Sequence, residues 1–167
     1  MDKKIRLIAS ISDNNVIGIN NKFSTFQTGQ MKMFRDITLK TPVIMGRKTQ
    51  DYIQFPLDER VCITISKFNN RVIDGFVHAK SLKHALSIAN IYDSQTISII
   101  GGQSIFEQSL IFADEILLIE VYTSKDGDRF FPELNFFEWK FNKRIYYKAD
   151  QDNEFPYSLV SFTRRLK

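Results

Sequence analysis

Apolar residues recur along the chain with the spacing of strands and helices in turn. Residues 4–11 alternate apolar and polar side chains, which is typical of a half-buried strand. Residues 29–39 place apolar side chains three positions apart, and Thr28 before them is a residue type that caps helices. The alternation of the two periods predicts an α/β protein built in layers.

The rest of the chain continues this pattern. Further strands are predicted at 42–45, 61–65, 76–78, 97–100 and 115–121, and further helices at 46–53, 81–91 and 103–112. Two long segments, 139–148 and 157–165, predict a closing antiparallel pair. Residues 12–28 are mostly polar and predict a loop, whose length indicates a function. Without repeats or linkers, residues 1–167 are predicted to form one domain.

Composition narrows the class of protein. Hydrophobic residues make up 43% and charged residues 25%, which is ordinary for a globular protein. A net charge of +4 without a basic block argues against nucleic acid and is compatible with an anionic small ligand. Cys62, the only cysteine, excludes an intrachain disulfide. With no signal peptide or membrane-length apolar run in the sequence, we expect a cytoplasmic protein.

Two turns from strand to helix carry candidate chemistry. In the first, a buried strand ends at Gly46 and a helix begins with Arg47, Lys48 and Thr49, so free N–H groups and two cations could bind phosphate. In the second, Gly101-Gly102 would let the backbone approach a pyrophosphate. Each turn alone also has an interpretation without a ligand. The first could be the solvated basic start of a helix, and the second could be a tight turn between a strand and a helix.

Together, in this order, the two turns resemble the dihydrofolate reductase family. The segment from Thr41 to Thr49 is similar to that family's most recognisable motif. Further similarities lie at 16–18, 56–60, 101–108 and 127–132. The resemblance implies a three-layer α/β fold, with a central mixed but mostly parallel sheet of about eight strands, a C-terminal antiparallel pair and about four flanking helices.

The resemblance also implies NADPH as the cofactor and a pterin or folate as the substrate of a monomeric enzyme. The implied cofactor-binding residues are Ala9, Ile17, Gly18, Gly46, Arg47, Lys48, Thr49, Ser66, Lys67, Gly101, Gly102, Gln103, Ser104 and Ile105. Three cations among them would favour NADPH over NADH by charge. The family usually has a glycine and an arginine where this chain has Gln103 and Ser104. We therefore expect weaker binding of the cofactor phosphates.

The implied substrate pocket is largely apolar. Its residues are Ile8, Ala9, Met31, Phe34, Ile53, Arg60, Ile100 and Phe106. Arg60 matches the arginine that binds the glutamate α-carboxylate of folates in the family. The apolar members are equally compatible with an ordinary core, because pocket and core linings look alike in sequence.

The residue that positions the substrate departs from the family pattern. Counting from Gly18, Gln30 falls where the family has Asp or Glu, Thr25 where it has Trp, and Ile119 where it has a supporting Thr. A carboxylate accepts two hydrogen bonds from a pterin, whereas an amide has one acceptor and one donor. We expect the mismatched NH₂ of Gln30 to cost about 1–3 kcal/mol in a buried site.

Three functions therefore remain open. The first is reduction of 7,8-dihydrofolate to tetrahydrofolate with NADPH, slow because of Gln30. The second is reduction of another pterin or a pyrimidinone, since Gln30 suits a ring edge with one donor and one acceptor. The third is a catalytically poor protein that binds dinucleotide. His78, His84 and the scattered cations are adequately explained as surface residues.

Overall fold

The computed structural model of the protein describes residues 2–25 and 27–166. Within these residues the strands are β1 (Lys4–Ser12), β2 (Val16–Ile19), β3 (Lys22–Phe23), β4 (Val43–Gly46), β5 (Cys62–Ile65), β6 (Val77–Ala79), β7 (Thr96–Ile99), β8 (Glu115–Val121), β9 (Arg129–Phe130), β10 (Trp139–Tyr147) and β11 (Tyr157–Arg164). The α-helices are α1 (Thr28–Thr38), α2 (Arg47–Ile53), α3 (Leu82–Ala89) and α4 (Gln103–Ser109), and a short 3₁₀ helix covers Asn69–Arg71.

The main sheet has eight strands in the order β10-β11-β8-β1-β7-β4-β5-β6. Every neighbouring pair from β8 to β6 is parallel, while β11 runs antiparallel to both β8 and β10. This is the mixed, mostly parallel sheet with a closing antiparallel pair that the sequence predicted. Because parallel strands are covered on both faces, their sequences read as nearly continuous apolar runs.

The two faces of the sheet bury different helices. Along β4, Ile44 packs into a cluster that includes side chains of α3 and α4. Its neighbours Val43 and Met45 point to the opposite face, where they pack with Phe34 of α1 and Ile53 of α2. Two helices therefore cover each face, which confirms the predicted three layers.

The segment predicted as a loop at 12–28 contains regular structure. Strands β2 and β3 pair with each other, and β2 also pairs with β9 in a second, three-stranded sheet. The prediction of an irregular loop was wrong here, because strands of two to four residues are too short to show a period. The second partner of β2, β9, also lies more than 100 residues further along the chain.

Helix starts were predicted with mixed success. Ser81 caps α3 as expected, since its Oγ accepts a hydrogen bond from the His84 N–H at 3.1 Å. Thr28 does not cap α1 but is its first residue, with Gln27 at the cap position. The Gly29 N–H is instead satisfied by Oδ1 of Asn153, at 2.7 Å. No helix in the described part of the chain is long and apolar enough to cross a membrane.

Candidate active site

A cavity of about 1430 Å³ opens at the carboxyl ends of β4, β5 and β7 and continues between α1 and α2. Of the residues that the sequence predicted for the site, all line this cavity except Gly101 and Ile119. Gly101 lies directly beside it in the second turn. Ile119 is fully buried and packs with Val121, Tyr157 and Phe34 instead.

The two strand-to-helix turns are in direct contact. The Gly46 N–H donates to the Gly101 carbonyl at 2.7 Å, and the Ile100 N–H donates to the Ile44 carbonyl at 2.9 Å. Gly101 has φ of +100°, and a Cβ there would lie 2.5 Å from the ring of Phe106. Only glycine fits this position, so the second turn depends on it.

Positive charge gathers at one part of the cavity. Lys48, Lys67 and Arg71 line it together with Arg47. Arg47 is partly neutralised because its Nη1 lies 2.6 Å from the carboxylate of Asp51, one helical turn further on. Arg71 was not predicted, because it belongs to the 3₁₀ helix and no motif surrounds it in the sequence.

Gln103 and Ser104 already have partners within the protein. The Gln103 Oε1 accepts from the Phe130 N–H at 2.9 Å, and its Nε2 donates to Glu107 at 2.9 Å. Ser104 Oγ accepts from the Gln108 side chain at 3.0 Å. Gln103 thus ties α4 to β9, and the part these two residues play in binding a cofactor stays a prediction.

The opposite part of the cavity is apolar. Ile8, Phe34, Ile53, Ile100 and Phe106 form its walls. Two further rings, Phe23 of β3 and Tyr52 of α2, meet edge to face with their centroids 4.7 Å apart and also line the cavity. Tyr52 was not predicted, because its position on α2 shows no pattern that separates it from a surface residue.

Two guanidinium groups lie at the rim of this apolar part. Arg60 donates to Thr38 Oγ1 and to the Asp58 carbonyl, both at 2.9 Å. Burial lowers the pKa of Arg60, although a guanidinium stays charged throughout the physiological range. Arg35 also lines the cavity and pairs with Glu59 at 3.2 Å. Arg35 lies one helical turn after Met31, a spacing that could have identified it.

Gln30 is 4% exposed and is held by Thr25. Its Nε2 donates to the Thr25 hydroxyl at 3.0 Å and to the Thr25 carbonyl at 3.2 Å. The expectation of a mismatched NH₂ was therefore wrong, because Thr25 satisfies that group from within the protein. The buried Oε1 of Gln30 has no hydrogen-bond partner among the described residues.

The acidic side chains of the cavity come from elements other than α1, which carries Gln30. Among the described residues that line the cavity, the carboxylates are Glu107 of α4 and Asp128 just before β9. Glu120, the neighbour of Ile119, bonds to Arg144 of β10 on the other face of the sheet. Within the described residues, the cavity therefore has no carboxylate at the position where the resemblance would place one.

The fold and this cavity define a three-layer α/β protein with its ligand cleft at the carboxyl ends of parallel strands. The family model for dihydrofolate reductase matches residues 4–164. The chain is 36% identical over 161 residues to the dihydrofolate reductase of Haemophilus influenzae, covering 95% of this chain and 98% of that protein. It is 34% identical over 162 residues to that of Buchnera aphidicola, covering 96% and 99%.

A solved structure has the same fold. The dihydrofolate reductase from Enterococcus faecalis, complexed with NADP(H) and RAB-propyl, matches with a TM-score of 0.91 at 21% identity, covering 98% of this chain and 97% of that chain. The chain belongs to the dihydrofolate reductase family, a family of NADPH-dependent oxidoreductases, as its two turns predicted.

Proposed function

We propose that this protein reduces 7,8-dihydrofolate to tetrahydrofolate with NADPH as the reductant. The observation that carries the proposal is the convergence of the two turns on one cavity, with cations at one part and apolar walls at the other. Relatives named dihydrofolate reductase, similar over nearly their whole length, support the same reaction.

The donor set fits NADPH. Lys48, Lys67 and Arg71, with Arg47, would bind the 2′-phosphate through charge-assisted hydrogen bonds. The glycine pair leaves room for a pyrophosphate, since a Cβ on Gly102 would meet only Thr49 Oγ1, at 3.7 Å. When bound, NADPH supplies the hydride.

The substrate fits the apolar part. Ile8, Phe34 and Ile53 would hold the ring system and exclude water, while Arg60 would bind a carboxylate at the rim. Gln30 would accept a hydrogen bond from the ring through its unpaired Oε1. The protein contributes mainly by positioning the reacting groups.

Protonation of the substrate has to rely on solvent. No carboxylate stands at residue 30. Of the described acidic residues of the cavity, Glu107 accepts a hydrogen bond from Gln103 at 2.9 Å and Asp128 lies 3.9 Å from the guanidinium of Arg129. We therefore expect the rate of reduction to fall steadily as pH rises, without the plateau that an active-site acid would produce.

The test follows NADPH oxidation by absorbance with dihydrofolate, folate, dihydrobiopterin and a set of pyrimidinones. Turnover fastest with dihydrofolate supports the proposal. If only another pterin or a pyrimidinone is turned over, that compound and not dihydrofolate is the substrate. Thermal stabilisation by NADPH without any turnover would indicate a binding protein. Sedimentation velocity, with and without nucleic acid, tests the expectation of a monomer that binds none.

Reduction of a pyrimidinone is the second candidate, favoured by Gln30 at the position of the usual acid. A uracil-like ring edge needs both a donor and an acceptor from the protein. Because the Gln30 donor is already bonded to Thr25, this candidate is weaker than the sequence alone indicated.

A further inference from the structure

The side-chain amide of Gln30 is oriented by a single neighbouring residue. Thr25 offers two acceptors to Nε2, its backbone carbonyl at 3.2 Å and its hydroxyl at 3.0 Å. Both residues are buried, with 6% of Thr25 and 4% of Gln30 exposed, and both line the cavity. The contact therefore lies within the proposed substrate site.

The chemistry of Thr25 permits one orientation of this amide. A backbone carbonyl can only accept a hydrogen bond, so the atom of Gln30 that faces it has to be the nitrogen. Rotating the amide by 180° would place two carbonyl oxygens against each other in a buried site. Oε1 is then the one hydrogen-bonding atom of this side chain left for a ligand.

Residues on both sides of Thr25 in the sequence are held by hydrogen bonds. The Ser24 hydroxyl donates to the Val16 carbonyl of β2 at 3.1 Å. The Gln27 side chain bonds both backbone groups of Phe155, donating at 3.1 Å and accepting at 2.8 Å. These contacts keep the Thr25 carbonyl in place, so the orientation of Gln30 is built into the fold before a ligand binds.

We propose that Thr25 is a positioning residue that fixes the amide of Gln30 with Oε1 presented to the ligand, so that the site selects a neutral ring edge bearing an N–H donor. This inference rests on the proposed function and specifies how that site recognises its substrate. A pterin lactam has such an edge, because its ring N–H lies beside a carbonyl. A protonated diaminopyrimidine would find a neutral acceptor where it needs an anion.

The test compares Thr25→Val, which removes the hydroxyl and keeps the shape, with Thr25→Ser, which keeps the hydroxyl. The control is Thr163→Val, since the Thr163 hydroxyl bonds to the side chain of Asn142 on an exposed part of β10 and β11. Three quantities are measured on the full chain: the KM for dihydrofolate, the dissociation constant of NADPH, and NMR signals of the Gln30 side-chain amide, assigned by their loss in Gln30→Met.

In Thr25→Val the Gln30 amide keeps its bond to the backbone carbonyl, but one of its two N–H groups loses its acceptor and the amide is held less firmly. We expect this loss of one hydrogen bond to raise the KM for dihydrofolate by about 5- to 10-fold. NADPH affinity should stay unchanged. The Gln30 amide protons should exchange faster with solvent in Thr25→Val and recover their protection in Thr25→Ser. Thr163→Val should match the wild type in all three measurements.

Two results would overturn the inference: unchanged KM and amide exchange in Thr25→Val, or a Thr25→Ser variant that behaves like Thr25→Val. Should Thr25→Val fail to fold, rapid exchange of the Gln30 amide in the wild type would itself refute the inference. The amide signals need no turnover, so they decide the role of Thr25 even if dihydrofolate proves not to be a substrate.

Discussion

The second turn of the cavity depends on one residue, Gly101. Its φ of +100° lies in a region of backbone conformation that residues with a Cβ rarely adopt. A Cβ added at this position would also lie 2.5 Å from the Phe106 ring. The next residue, Gly102, has φ of −77° and no comparable neighbour. Glycine is therefore required at the two positions for different reasons. At 101 it permits the backbone conformation, and at 102 it leaves space for a ligand.

These two glycines allow a matched experiment. Gly101→Ala should lower the free energy of unfolding by about 2–4 kcal/mol, because it adds backbone strain and overpacking against Phe106. Gly102→Ala should cost clearly less. Urea denaturation of both variants measures the difference, and equal losses would contradict the assigned roles.

The acid that Gln30 replaces can be reintroduced. We expect Gln30→Asp with Ile119→Thr to raise the turnover of dihydrofolate, since a carboxylate accepts two hydrogen bonds from the pterin and makes a proton more available. The same double variant should bind trimethoprim more tightly, because a cationic diaminopyrimidine then meets an anion.

Ile119→Thr alone serves as the control for this double variant. It places a hydroxyl in an apolar cluster beside Val121 and should destabilise the protein by about 1–3 kcal/mol without raising turnover. Steady-state kinetics and trimethoprim titration measure both effects. Tight trimethoprim binding by the wild type would refute the position assigned to Gln30.

At the scale of elements, the start of α1 depends on the connection between β10 and β11. Asn153 Oδ1 accepts from the Gly29 N–H at 2.7 Å, and Asn153 in turn donates to the carboxylate of Asp150 at 2.9 Å. This hydrogen bond, with others from the backbone, lowers the pKa of Asp150. Because Gln27 provides no side-chain cap, the connection replaces the local signal that usually begins a helix.

Asn153→Ala should therefore lower the free energy of unfolding by about 1 kcal/mol, the usual cost of losing a helix cap. The matched control is Asn142→Ala, which removes an exposed contact with Thr163. Thermal or urea unfolding at neutral pH compares the two variants. An Asn153→Ala variant as stable as the control would show that the cap contributes nothing.

The lowered pKa of Asp150 gives this contact a pH dependence. A carboxyl whose pKa is lower in the folded protein stabilises the fold above its unfolded value of about 3.9. That contribution is lost as pH falls through the folded value. Asp150→Asn should remove this part of the acid destabilisation, which unfolding measured from neutral pH to below pH 4 would detect.

Elements with a clear period were predictable, and elements set by distant contacts were not. The parallel strands and the β10–β11 pair have apolar or alternating sequences long enough to identify. Strands β2, β3 and β9 span two to four residues, and α1 takes its cap from a residue 124 positions away. Such features depend on contacts between residues that are far apart in the sequence. A local pattern of apolar and polar residues does not reveal those contacts.

At the scale of the whole molecule, a net charge of +4 is concentrated where it can act on a ligand. Lys48, Lys67 and Arg71 line the cavity around the first turn, and Arg35 and Arg60 lie at the rim of its apolar part. The sequence predicted most of this arrangement, because the strand-to-helix motifs are local. It missed Arg71, Arg35 and the amide contact of Thr25, which depend on how the segments meet.

We predict that the turns at Gly46 and Gly101 bind one NADPH between them. A crystal structure with NADPH tests it most directly. We predict a dinucleotide that runs from Lys48 and Lys67, across the glycine pair, to the apolar walls beside Phe106. An empty cleft, or a dinucleotide bound elsewhere on the protein, would contradict the claim.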